Sequence, residues 1–193
     1  MATRLEHYEI LLGVCGGIAA YKAADLCSRL IRQQVGVTVA MTEAAQQFVR
    51  PLTFSTLSGR RVYTDLFDVE QVYQVEHIAL THRADLIVVA PATANSLAKA
   101  ATGICDNLLS TLLCSAESDI LLAPAMNQRL WEHPATQDNV KKLQQWGCHF
   151  VGPGTGRLAC GDEGMGRMAE AEDILQHIVQ LLENKIPKKK SEE

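Results

Sequence analysis

Residues Leu158 to Glu170, LACGDEGMGRMAE, place Cys160 between Ala159 and Gly161, with Asp162, Glu163, Gly164, Gly166 and Arg167 close behind. Glycine-rich chain is conformationally permissive and costly to order. Such segments run over the surface, whereas a structural thiol behaves as a small hydrophobe and prefers the interior. A cysteine set there therefore needs a reason other than packing. In VEHIALTHRAD (75–85), His77 titrates near neutrality and can act as a base. A histidine taken singly is more often structural, and His82 and His133 offer the same group. PAMNQRLW (124–131) presents an amide, Asn127, and an aromatic, Trp131; alone, these read as a helix cap and a core residue. The six cysteines (15, 27, 105, 114, 148, 160) form no C-x-x-C pair, so they read as free thiols, mostly small core residues, of a reducing compartment. His77 and His82 do not stack on one helical face as paired zinc ligands would, so no structural metal is expected.

Two glycines open a possible anion seat. GVCGGIAAYK (13–22) is a strand, a turn and a helix start, and Gly16 and Gly17 would expose backbone N–H groups toward a phosphate. The segment matches neither the P-loop pattern nor the full G-x-G-x-x-G fingerprint. Thr42 stands where a nicotinamide dinucleotide site would need a carboxylate. The turn therefore suits a mononucleotide with the Thr42 hydroxyl as donor, the alternative being glycines that serve packing only. APATANS (90–96) could wrap backbone and small side chains around a flat ring, or be a proline-bounded turn capped by Asn95 or Ser96.

These groups need a scaffold, and the chain supplies an alternation of short apolar strands and amphipathic helices. YEILLGV (8–14), VTVAM (37–41), DLIVVAP (85–91), DILLAP (119–124) and CHFVG (148–152) read as strands, the last closing the series. The continuous apolar runs are those of a parallel sheet covered on both faces. Helices are expected over 18–34, with Ala20, Ala24, Cys27 and Ile31 on one face, and after the cap Thr42. Others are expected in NSLAKAA and NLLSTLLCSA (broken at Gly103), over 136–147, and over 171–184 with Ile174, Ile178 and Leu181 on one face. Residues 52–75 are less regular: short helix, short strand, loop. The fold class is α/β, a doubly wound parallel sheet with helices on both faces, a flavodoxin-like or Rossmann-like three-layer arrangement. Ligands of such sheets bind beyond the carboxyl ends of the strands, which selects the turns at Gly16-Gly17, Thr42, 91–96 and 124–127.

The 193 residues fit one domain, 1–184, followed by a charged tail, 185–193, expected to be solvated. A net charge of -4 gives no electrostatic reason to expect nucleic acid. No signal peptide or membrane-spanning run is present, so no membrane partner and a cytoplasmic location are expected.

Taken together, GGIAAYK (16–22), a histidine ahead of ADLIVVAPATAN (84–95), PAMN (124–127) and ACGDEGMGRM (159–168) resemble the flavoproteins that oxidatively decarboxylate cysteine residues. The resemblance runs from about Glu9 to Ile178 in the family's order. It implies FMN as cofactor and 4'-phosphopantothenoyl-cysteine as substrate. It also implies a homotrimer or a larger multiple of trimers, with the flavin at a subunit boundary. By position, His77 matches the active-site base, Asn127 the residue that holds the substrate carboxylate, and Cys160 the proton donor. Gly16, Gly17, Thr42, Phe48, Thr93, Ala94, Asn95 and Ser96 fall on flavin-binding positions, with Ala125 near the ring. Met126, Ala159 and Gly161 fall on substrate contacts.

The chemistry implied is oxidation of the thiol to a thioaldehyde, whose C=S accepts the electrons left by departing CO2, then re-reduction of the ene-thiolate. No lysine suggests a pyridoxal alternative, since Lys22 and Lys99 read as surface helix positions. Cys160 would sit on a glycine-hinged lid that folds over the intermediate, with Asp162, Glu163 and Arg167 latching the lid or contacting the substrate. Relatives commonly carry Ser or Thr where Cys15 stands, a stronger donor than a thiol. Many bacterial relatives continue into a domain that ligates cysteine to phosphopantothenate. This chain is expected to depend on a separate ligase. A peptidyl-cysteine decarboxylase and a non-catalytic phosphatase-regulating relative are the alternatives; flavin prenyltransferases share the fold but not the His77, PAMN and Cys160 set.

Overall fold

Strands that are apolar on every residue must be covered on both faces, and here they form the middle of one sheet. The computed structural model describes residues 5–66, 76–157, 163–183 and 185–188. In chain order the elements are β1 (Glu9–Val14), α1 (Ala20–Arg32), β2 (Gly36–Met41), a 3-10 turn (Glu43–Gln47), α2 (Pro51–Ser58), β3 (Val62–Tyr63), α3 (Glu76–Arg83), β4 (Leu86–Ala92), α4 (Ala94–Thr102), α5 (Leu108–Cys114), β5 (Asp119–Pro124), α6 (Gln128–Trp131), α7 (Pro134–Gln145), β6 (His149–Phe150), β7 (Gly154–Arg157), β8 (Glu163–Arg167) and α8 (Ala171–Leu182).

Six strands pair in the order β3-β2-β1-β4-β5-β6, every pair parallel. Alternation along β1 divides the core. Ile10, Leu12 and Val14 join α1, Phe54 of α2, and Ile174 and Ile178 of α8. Leu11 and Cys15 face α3, α4, α5 and α7 through Leu80, Leu97, Leu109, Leu112 and Leu143. This is the doubly wound, three-layer arrangement expected. The order reverses between β1 and β4, and in sheets of this kind such a reversal opens a crevice beyond the carboxyl ends of the strands.

Two parts of the fold depart from the sequence reading. CHFVG is not the last strand: β7 and β8 form an antiparallel ribbon apart from the main sheet, with Gly154 opposite Arg167 and Gly156 opposite Gly164. Glycine supplies no side chain to the alternating pattern that identifies a strand, so the ribbon is hidden in the sequence. On α1 the buried stripe is Ala20, Ala23, Leu26, Cys27 and Leu30, with Ala24 and Ile31 at its margin. The helix packs on both the sheet and α8, and this turns its apolar face. The cysteines are also less interior than expected: Cys15 and Cys27 are buried, Cys148 is partly buried, and Cys105 and Cys114 are exposed. Nor is the whole tail solvated. The backbone N–H of Lys188 donates to Asp85 Oδ1 at 2.8 Å, and Lys185 pairs with Asp119. Among the described residues no helix is long and apolar enough to cross a membrane.

Candidate active site

Four strands deliver their last residues to the crevice. After β1, Cys15 N donates to Pro91 O at 3.3 Å, which ties this turn to the end of β4. A Cβ on Gly16 would lie 2.4 Å from Ala44 Cβ and 2.7 Å from Ala44 C, so only glycine lets the 3-10 turn after β2 approach this closely. A Cβ on Gly17 would touch nothing within 4 Å, which leaves its backbone open to the crevice. Helix α1 then starts at Ala19 without a side-chain cap, and neither α1 nor α4 carries an acidic residue in its first turn. Uncapped N–H groups and the positive ends of two helix dipoles converge where an anion would sit.

The hydroxyls expected to serve that anion are present, with one reassignment. Thr42 Oγ1 accepts from Ala45 N at 3.2 Å and caps the 3-10 turn as expected. The cap of α4 is Thr93, not Asn95 or Ser96: its Oγ1 accepts from Ser96 N at 3.3 Å. Capping uses an oxygen lone pair and leaves each threonine O–H free to donate. Ser96 Oγ lies 3.1 Å from Thr93 Oγ1 and 3.0 Å from Cys15 Sγ. Burial pushes the Cys15 thiol up, partly offset by its bonds to Ser96 and Thr93. It stays protonated and braces Ser96 from beneath the turn. Phe48 ends the 3-10 turn and is half-exposed, Asn95 is exposed, and Ala94 is partly exposed.

At the end of β5, Ala125 N donates to Ala92 O at 3.0 Å, and Met126 N donates to Gly166 O of β8 at 2.9 Å. The ribbon is therefore hydrogen-bonded to the PAMN turn. A Cβ on Gly166 would lie 2.1 Å from Met126 O, and one on Gly164 would lie 1.9 Å from Gln128 Oε1. At Gly166 the close neighbour is backbone, so a side chain there would push the PAMN turn away. Asn127 is exposed at the mouth of the crevice and caps α6, its Oδ1 accepting from Arg129 N at 2.9 Å. Trp131 is partly buried, and its Nε1 donates to Met165 Sδ of β8 at 3.1 Å.

His77 belongs to the first turn of α3; its side chain lies outside the described part of the structure. Helix α3 ends at Arg83, which reaches Glu9 at the amino end of β1 at 3.5 Å, so its first turn lies toward the carboxyl ends of the strands. Ala159, Cys160, Gly161 and Asp162 fall outside the described residues, between the two arms of the ribbon.

The expectation that Lys22 and Lys99 lie on the surface is overturned. Lys22 is not a surface residue: only 8 % exposed, it donates to Glu170 Oε1 at 2.9 Å and to Met168 O at 3.3 Å. Its spacing with Leu26 and Leu30, both buried, was the signal available in the sequence. Lys99 is likewise only partly exposed and pairs with Asp106 at 2.8 Å.

Fold and turns together define a doubly wound α/β protein whose crevice suits a flat ligand carrying a phosphate, with the β7–β8 ribbon hydrogen-bonded to the turn at its edge. The Flavoprotein family model matches residues 1–183, and the chain belongs to that family. It is 46% identical over 172 residues to the "Coenzyme A biosynthesis bifunctional protein CoaBC" of Bacillus subtilis, a match over 89% of this chain and 42% of that protein. The chain thus spans under half the length of the curated relative it matches. A PPC decarboxylase mutant complexed with pantothenoylaminoethenethiol superposes with a TM-score of 0.83 at 30% identity, covering 93% of this chain and 100% of the other. The FMN binding protein AtHal3 follows with a TM-score of 0.80 at 30% identity, covering 94% and 100%.

Proposed function

We propose that this protein is an FMN-dependent decarboxylase of 4'-phosphopantothenoyl-cysteine, acting in coenzyme A biosynthesis. The observation that carries the reading is the Gly166 O to Met126 N hydrogen bond. It joins the ribbon bearing the Cys160 segment to the turn bearing Asn127, at the edge of a crevice whose floor is built for a phosphate. The residues present fit the cofactor. Gly16 and Gly17 leave the backbone open, Thr42, Thr93 and Ser96 supply hydroxyls, and two helix N-termini without first-turn acids favour the phosphate. Ala94, Asn95, Ala125 and Phe48 are the residues for the ring.

FMN held there would supply reversible two-electron redox chemistry toward the substrate thiol. The chain's own groups do the rest. His77 takes the proton released in the oxidation. Asn127, with Met126 beside it, holds the carboxylate out of the C=S plane so that the breaking bond overlaps the acceptor. Cys160, flanked by Ala159 and Gly161, protonates the ene-thiolate. The substrate comes from a reaction that joins cysteine to phosphopantothenate, catalysed by a ligase. A homotrimer accounts for the apolar surface beside the phosphate turn: Ile18, Tyr21, Phe48 and Leu52 are 62, 61, 51 and 74% exposed.

The test is anaerobic mixing of FMN-loaded protein with 4'-phosphopantothenoyl-cysteine, following flavin absorbance and product mass. The expected result is transient bleaching, CO2 release and 4'-phosphopantetheine. A yellow protein inert to this substrate but active on a peptide C-terminal cysteine would replace the substrate, and a protein that cannot be loaded with FMN would overturn the reading.

A further inference from the structure

A buried lysine is costly unless its charge is matched, so the surroundings of Lys22 call for an explanation. The residue lies in α1, one turn past the phosphate turn, and its ammonium reaches Glu170 Oε1 at 2.9 Å and Met168 O at 3.3 Å. The same Glu170 oxygen accepts from Arg167 NH2 at 2.6 Å. Glu170 is not capping α8 with its side chain, although it occupies the cap position. Its carboxylate is used between two cations instead, and the hydrogen bond from Lys22 holds its carboxyl below the usual carboxylate range.

The cluster closes on the end of the ribbon. Arg167 is the last residue of β8, Met168 follows it, and Gly166 immediately before it accepts from Met126 N at 2.9 Å. Three consecutive residues of the return arm, 166–168, are thus fixed from two sides: by the PAMN turn through Gly166, and by α1 and α8 through Arg167 and Met168. Asn127 is the residue after Met126.

We propose that Lys22, Glu170 and Arg167 form a positioning cluster that sets the return arm of the ribbon against the PAMN turn and so fixes Asn127 for the substrate carboxylate. It rests on the function proposed above for Asn127. None of the three needs to touch substrate; they act through the strand. The α1–α8 seam does not depend on them, because Arg29 NH1 donates to Glu172 Oε2 at 2.6 Å and Ile174 and Ile178 are fully buried there. A variant of Glu170 should therefore fold.

Two readouts test this. Trp131 bonds Met165 of the same strand, and the chain has only one other tryptophan, Trp146. In a Trp146→Phe background without FMN or substrate, Glu170→Gln and Lys22→Met should shift Trp131 emission to longer wavelength. Unchanged emission in both variants would overturn the proposal, whatever the substrate proves to be. In FMN-loaded protein, Glu170→Gln should raise KM for 4'-phosphopantothenoyl-cysteine about tenfold, equivalent to about 1.4 kcal/mol, with FMN affinity unchanged. In an Asn127→Ala background the same change should add nothing further. Additive losses would mean that the cluster does not act through Asn127. Failure of wild type to accept this substrate would sink the assigned function, while the tryptophan measurement would still decide the cluster.

Discussion

The two ends of the sheet are built from opposite materials. At the amino ends of the strands, acids are matched with bases. Arg60 grips the buried Glu9 carboxylate at 2.5 and 3.1 Å and Arg83 stands at 3.5 Å. Glu9 N donates to Asp85 Oδ2 at 2.7 Å, and Lys185 and Lys188 close over Asp119 and Asp85. At the carboxyl ends, glycines, hydroxyls and uncapped N–H groups converge. At one end the charged groups are paired within the protein; at the other the proposed ligand site is lined by glycines and hydroxyls. Paired charges and the proposed site are separated along the strand direction, and the parallel sheet makes this possible by collecting all its strand termini of one kind at one edge.

The separation can be broken from either end. The largest effect is expected at the carboxyl edge. His77→Asn should retain FMN but lose about 10²–10⁴ in the rate of substrate-driven flavin bleaching, the range for a missing general base. Bleaching at the wild-type rate in stopped flow would remove that role. Next, Arg60→Ala removes the two shortest bonds to Glu9, whose side chain is 5% exposed, leaves Arg83 at 3.5 Å, and should cost about 2 kcal/mol in urea unfolding. FMN affinity should change less than about twofold if the two ends are independent. Gly16→Ala should force the phosphate turn away from Ala44 and weaken FMN binding by about tenfold, with a smaller cost in stability. That effect is read by titrating apoprotein with FMN; unaltered affinity would mean that the turn does not hold the phosphate.

The smallest effect lies inside the scaffold. Burial pushes the Cys27 thiol up from 9.0 to about 11, so the folded state favours the protonated form. Its contribution to stability is complete below pH 9 and declines as pH rises toward 11. Replacing Cys27 with alanine should flatten that alkaline limb of the unfolding curve. Alkylation of native Cys27 should stay slow until pH approaches 11. Rapid labelling at pH 8 would place the thiol at the surface.

Much of this was legible in the residues. DILLAP is β5 residue for residue, Thr42 caps as its position suggested, and Gly103 ends α4 in the left-handed conformation it alone adopts cheaply. Local signals suffice there because each depends on neighbours in sequence. Lys22 was misread because a lysine in an amphipathic helix is ordinarily solvated; its partner lies 148 positions away. The ribbon's strands were missed because glycine carries no side chain to mark the alternation of a strand.

By itself the sequence determined the alternation of strand and helix, the glycines and hydroxyls at the strand ends, and the family those motifs belong to. These follow from periodicity, backbone preference and short-range hydrogen bonding. Tertiary structure decided which glycines admit a neighbouring backbone, which charged residue is buried, and how the ribbon meets Asn127. Those depend on the approach of segments far apart in the chain, and only the packed fold fixes such distances.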